Sequence, residues 1–361
     1  MQRREVLFAM MAAAPAVAPL VTLTPFAARA QSGAGTVDRV GLLLPKSAGP
    51  FARASTAVRA GVEAGYRRDG RGLAVDIYEI EDSVAALAAA YRGMLELGTA
   101  LVLGPLTRDG TTALLELGDI PITTVALNQS DGEAAVPWNV IVFTVGVETE
   151  AEMIASAAMA DVRGAVGGRP PSAIIVTASS ALGKRGARAF LERWRSLGGE
   201  AQAPLELEHS ALYKFRSAVK QDKGDLYFLS MTADLARPVR TIIGRTLPVY
   251  GTSLLSVGSS ESTVRAPELD GVRLLEMPGV IQPNHAASLG YPQAPPEFSL
   301  EMQRLYALGI DAFRIARAMF SGRPSFDIDG MTGRLRYDGS HAAVERVPFM
   351  AEYRDGAPVP L

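Results

Sequence analysis

Apolar residues in this chain come in short unbroken runs separated by amphipathic stretches. Val40-Gly41-Leu42-Leu43-Leu44-Pro45 is such a run, the pattern of a strand buried on both faces. After the polar turn Lys46 to Pro50, Ala54, Val58 and Val62 recur at helical spacing, which predicts a helix from Phe51 to Tyr66. Strands are expected again at Val75–Ile80, Leu101–Leu103, Ile122–Leu127 and Val140–Val145. Helices are expected over Ser83–Leu97 and from a Thr107 or Asp109 cap to Leu117, where Gly118-Asp119 ends the run. Strand and helix in alternation predict a mostly parallel sheet with flanking helices.

The pattern then begins afresh. A helix is expected over Thr149–Asp161, a strand over Ala173–Thr177, a capping turn at Ser179-Ser180, and a helix over Gly183–Leu197 with Phe190 and Trp194 at i and i+4. Ala203–Glu208, a helix around Tyr213–Lys220, Leu226–Ser230 and Pro248–Gly251 continue it. Two such units predict two lobes with a cleft between them, where a small polar ligand would be met. The last third holds a Pro/Gly-rich connection, Pro278–Pro296, a long helix, Phe298–Phe320, a hairpin over Phe326–Tyr337, and a closing strand and turn, Ala351–Pro358. These are too few for a third domain and are expected to complete the two lobes.

The first thirty residues follow a different rule. Arg3-Arg4 precede the apolar run Val6 to Leu23, and Ala28-Arg29-Ala30 offers small residues for cleavage before Gln31, which predicts an export signal. Arg3-Arg4-Glu5-Val6-Leu7-Phe8 resembles a twin-arginine leader and so points to the periplasm. Loss of residues 1–30 removes three arginines and one glutamate, and the formal charge moves from −2 to about −4, which argues against nucleic acid as a partner. No second apolar run is long enough to span a membrane, so the mature form is expected not to. Cysteine is absent, which excludes disulfides, thiolate metal sites, cysteine nucleophiles and a lipid-modified cysteine.

Catalytic patterns are missing as well. His209, His285 and His341 stand apart from one another and from paired carboxylates, so no metal site and no cofactor are expected. Ser217-Ala218-Val219-Lys220 has the Ser-x-x-Lys spacing of β-lactam-reactive enzymes, but neither companion element accompanies it. Gly183-Lys184-Arg185-Gly186 lacks the spacing of a phosphate loop. Asp311, inside an apolar helix, is expected to accept backbone amides. The chain therefore reads as non-enzymatic.

Five segments in order carry a resemblance: Val40 to Pro45 with Gly49-Pro50-Phe51, Gly104-Pro105-Leu106-Thr107, Ala126-Leu127-Asn128-Gln129, Leu305 to Ala312, and Met331-Thr332-Gly333-Arg334-Leu335. Together the chain resembles the type I periplasmic-binding-protein fold, and within it the C-terminal domain of the penicillin-binding protein activator (LpoA, also LppC) family. That resemblance implies three inter-lobe crossovers, near Gly146, Gly279 and Phe326. Lobe 1 would then comprise residues 37–146 with 280–325, and lobe 2 residues 147–279 with 326–361. It implies a class A penicillin-binding protein as partner and regulation of peptidoglycan synthesis. Members of the best-known type carry a helical-repeat domain and a lipidated cysteine, and this sequence reads as the binding-protein half alone. The alternative is a solute receptor that delivers amino acids or amides to an ABC transporter. For a ligand, the strand-end positions implied by the fold are Ser47, Thr107, Asn128, Gln129, Ser179 and Ser180. Arg108 and Asp109 stand where small hydroxyl residues would be expected, and could pair with each other.

Overall fold

The computed structural model describes residues 37–132, 134–208, 212, 215, 223–322, 325–340 and 342–361. The export segment, the helix expected over Tyr213–Lys220 apart from Phe215, the Ser-x-x-Lys sequence, His209 and His341 lie outside the described residues.

The first sheet is all parallel, in the order β2-β1-β3-β4-β5, with β1 at Asp38–Pro45, β2 at Leu73–Ile80, β3 at Thr99–Leu103, β4 at Thr123–Ala126 and β5 at Val140–Val142. Helices α1 (Ala52–Asp69), α2 (Val84–Glu96) and α3 (Arg108–Glu116) connect its strands. Side chains alternate across a strand, so the apolar run of β1 serves two cores: Leu42 and Leu44 enter one, Leu43 the other against Leu87, Tyr91 and Leu114 of α2 and α3. Each buried leucine contributes roughly 1.5–3 kcal/mol.

The second lobe opens with α4 (Val147–Val162) and β6 (Ser172–Ala178), followed by α5 (Ala181–Ser196), β7 (Glu200–Ala201), β8 (Leu205–Leu207), β9 (Leu226–Ser230), α6 (Ala233–Ile243), β10 (Val249–Gly251) and β11 (Val272–Glu276). Phe190 of α5 stacks on Phe228 of β9 at 4.0 Å and on Trp194 one turn along at 5.6 Å. After the short α7 (Pro278–Ile281), the long α8 (Leu300–Phe320) returns to the first lobe. There Leu308, Phe313, Ile315 and Ala316 fill the core that Leu42 and Leu44 also enter. Glycines make this return possible. A Cβ on Gly61 of α1 would lie 2.1 Å from the Tyr306 carbonyl oxygen, and one on Gly309 of α8 2.2 Å from that of Val58.

Strands β12 (Phe326–Asp329), β13 (Arg334–Tyr337) and β14 (Glu345–Val347) form a separate antiparallel sheet. The expected assignment of this hairpin to the second lobe is corrected here. Leu335 and Val344 are buried in the first lobe's core, Phe326 and Ile328 pack on it, and Ala343 bridges Val142 at the edge of β5. An apolar face goes where an open edge and an unfilled core accept it. The third crossover is therefore at Pro348 rather than Phe326, since β15 (Phe349–Arg354) is the first strand to join β11, with β16 (Ala357–Pro360) beyond it. The second sheet runs β16-β15-β11-β10-β9-β6-β7, with β8 also pairing β6.

Buried charges tie the crossovers together. Glu150 of α4 accepts from Arg346 of β14 at 3.0 Å and from the Ser253 amide at 3.0 Å, and Arg346 donates to the Thr332 carbonyl at 3.1 Å. Asp311 of α8 accepts from the Met331 amide at 3.0 Å and from the amide and hydroxyl of Thr332 at 2.7 and 2.8 Å, as an acid in an apolar helix must. Burial pushes its carboxyl above the ordinary carboxylate range, with Arg314 and these donors pulling the other way. Arg304 of α8 reaches across to Glu276 of β11 and to the Ser253 carbonyl at 2.8 Å.

Candidate functional site

Three helices begin at the cleft between the sheets, because each follows a strand whose end points into it. Thr107 caps α3, accepting from the Gly110 amide at 3.0 Å and donating to Asp82 at 2.7 Å. Gly146 opens α4 at the first crossover, and Ser180 caps α5, accepting from the Gly183 amide at 3.2 Å. The space they border has a volume of about 490 Å³ and is lined by Phe51, Leu106, Leu127, Leu305 and Leu308 together with charged side chains.

Four of those charges are linked to one another. Arg108, the first residue of α3, donates to Glu148 of α4 at 3.1 Å and also to Asp131. Arg185 of α5 meets the same Glu148 oxygen at 2.9 Å. A line of alternating charge thus crosses from the first lobe to the second. The pairing weighed for Arg108 and Asp109 is corrected: residues adjacent on a helix point apart, so Arg108 finds acids outside its own helix.

A family model described as "LppC putative lipoprotein" matches residues 31–209 and 210–356. The chain belongs to the LppC family. Among similar proteins, the penicillin-binding protein activator LpoA of Edwardsiella ictaluri is 27% identical over 73% of this chain and 44% of its own length. That of Photobacterium profundum is 22% identical over 89% of this chain and 56% of its own. The LppC chain therefore spans about half the length of these relatives. Among solved structures, the "LpoA (YraM) C-domain from Haemophilus influenzae, a regulator of PBP1A" is 21% identical with a TM-score of 0.68, over 90% of this chain and all of that one. A "putative branched-chain amino acid ABC transporter" from Chromobacterium violaceum is 29% identical with a TM-score of 0.70, over 88% of this chain and all of that one. The fold is that of type I periplasmic-binding proteins.

Of the six strand-end residues expected in this LppC chain, Thr107 and Asn128 line the cleft. Asn128 is occupied locally: its amide donates to the Leu106 carbonyl at 3.0 Å and its side-chain oxygen accepts from the Gln129 amide at 3.0 Å. Gln129 and Ser180 do not reach the lining, and Ser180 serves as a cap. Ser47 and Ser179 are exposed and are not part of the lining. Arg108 was noted only for pairing with Asp109, and Glu148, Arg185 and Arg304, which also line the space, were not expected. An arginine at the start of α3 was the available signal, and its partners lay 23 and 40 residues away. Among the described residues no group of acids and histidines could hold a metal ion, and no helix is long and apolar enough to cross a membrane.

Proposed function

We propose that this LppC-family chain works in the periplasm as a non-enzymatic regulator of peptidoglycan synthesis, touching a class A penicillin-binding synthase through a surface outside the cleft. What carries the reading is the state of the cleft. Of its strand-end groups, the Thr107 hydroxyl caps a helix and the Asn128 amide is bonded to the Leu106 carbonyl, and Arg108 and Arg185 already share Glu148. A receptor needs donors free for a solute and lobes that respond to it. The names of the similar activators, and of the domain described as a regulator of PBP1A, support the same reading.

The test is a glycan-polymerisation and crosslinking assay with a purified class A synthase. Adding the chain should raise the rate several-fold with a saturable dependence on its concentration. No change in rate and no recovery of the synthase by the immobilised chain would sink the proposal.

The second reading, a solute receptor, is favoured by the Chromobacterium violaceum structure at 29% identity and by a cleft of about 490 Å³. A thermal-shift series with amino acids and amides decides it. A saturable rise in melting temperature with one of these, and no effect on the synthase, would put the receptor first.

A further inference from the structure

Glu148 lines the cleft with an arginine from each lobe against it. It leaves the first turn of α4 two residues past the Gly146 crossover, and one of its oxygens takes Arg108 from the first lobe and Arg185 from the second, at 3.1 and 2.9 Å. Asp131 steadies Arg108 from behind. Gly146 leaves the carboxylate room, since a Cβ there would come within 3.3 Å of the other Glu148 oxygen. Arg108 and Glu148 are also largely withdrawn from water, at 20% and 16% exposure, so their attraction is less screened than that of a surface pair.

We infer that Glu148 is a tethered substitute for a ligand carboxylate, and that its pair with Arg108 holds the lobes together with no solute bound. A ligand closes two lobes only by favouring the closed arrangement over the open one. Here a side chain of the protein supplies that preference. Being attached, it meets the arginines at an effective concentration that dilute free carboxylates do not match. This device does not depend on contact with a synthase and would operate in a receptor as well.

The chain contains no cysteine, so Ser47→Cys and Ser179→Cys place two spin labels at exposed positions on opposite lobes. Electron–electron dipolar spectroscopy on the otherwise native protein should give one narrow distance. Glu148→Ala and Arg108→Met should each lengthen and broaden it by several ångströms, and the double variant should go no further. Glu148→Gln, which keeps the size and drops the charge, should open the lobes too. Acetate or formate, added in millimolar steps, should restore the short distance in Glu148→Ala and not in Arg108→Met. Circular dichroism shows which variants are folded. Folded Glu148→Ala and Glu148→Gln with unchanged distances, or an opening that acetate does not reverse, would overturn the inference. Synthase stimulation, measured separately on the same variants, tells a failure of this device from a failure of the proposed function.

Discussion

Two groups of charges sit where the lobes meet, and they differ in how far water reaches them. Around the crossovers, Glu150, Asp311 and Glu276 are fully buried, and each finds its partners inside the fold. At the cleft corner, Arg185 and Asp131 are 43% and 54% exposed, while Arg108 and Glu148 between them are mostly withdrawn from water. Removing one member of a buried pair leaves an uncompensated charge and costs roughly 3–5 kcal/mol, whereas an exposed pair is worth about 0–1 kcal/mol. The lesson is a division of labour. The inner group is built into the fold, and the outer group is the one proposed to act on lobes that are already folded.

Breaking the inner group should have the largest effect. Glu150→Ala strands Arg346 and should lower the unfolding free energy by about 3–5 kcal/mol in urea titration. Adding Arg346→Met should restore much of that loss, and a double variant as unstable as the single would contradict the contrast. Asp311→Ala comes next. It leaves the Met331 and Thr332 amides and the Thr332 hydroxyl without their acceptor, at a cost of roughly 2–3 kcal/mol. A neutral result there would mean that water replaces the carboxylate, and that the crossovers are less sealed than drawn.

The smallest effect sharpens the comparison from the surface side. Asp225 accepts from Arg169 at 2.8 Å and from the Ser172 amide at 2.8 Å, and the Arg169 guanidinium holds its carboxyl below the usual carboxylate range. A depressed folded pKa gives stability that is present above the unfolded value and lost as pH falls through the folded one. Asp225→Asn should therefore cost about 1 kcal/mol at neutral pH. The gap between variant and native protein should close in acid, which a series of urea titrations against pH would reveal. A gap that persists at the acid end would assign it to packing.

Much of this architecture was legible because its signals are local. The runs at Leu42–Leu44 and Leu101–Leu103 declare buried strands, Phe190 and Trp194 declare one helix face, and Asp311 declares its need for donors by standing among apolar neighbours. The hairpin was different. Alternation along Phe326–Tyr337 marks a strand, yet nothing within it says that Leu335 enters the first core or that Ala343 meets Val142, some 200 residues earlier. Glu150 and Arg346 pose the same problem, with 196 residues between them. In the cleft, polar strand ends drew attention to Ser47, Thr107 and Asn128, but only the fold says which polar groups are already spent on caps. Arg108 stood out at its strand end, but its partner Glu148 lies 40 residues on and could not be read from the sequence.

The Gly61–Gly309 contact between α1 and α8 has a consequence for how the chain is made. The strands of the first sheet leave the ribosome well before Leu308, Phe313 and Leu335, so one of its two cores stays open until those residues follow. Domains generally fold as units, and the first sheet's unit includes residues from far along the chain. Until those residues arrive, the strands remain unsealed, a period in which chaperones and aggregation compete for the same greasy surface.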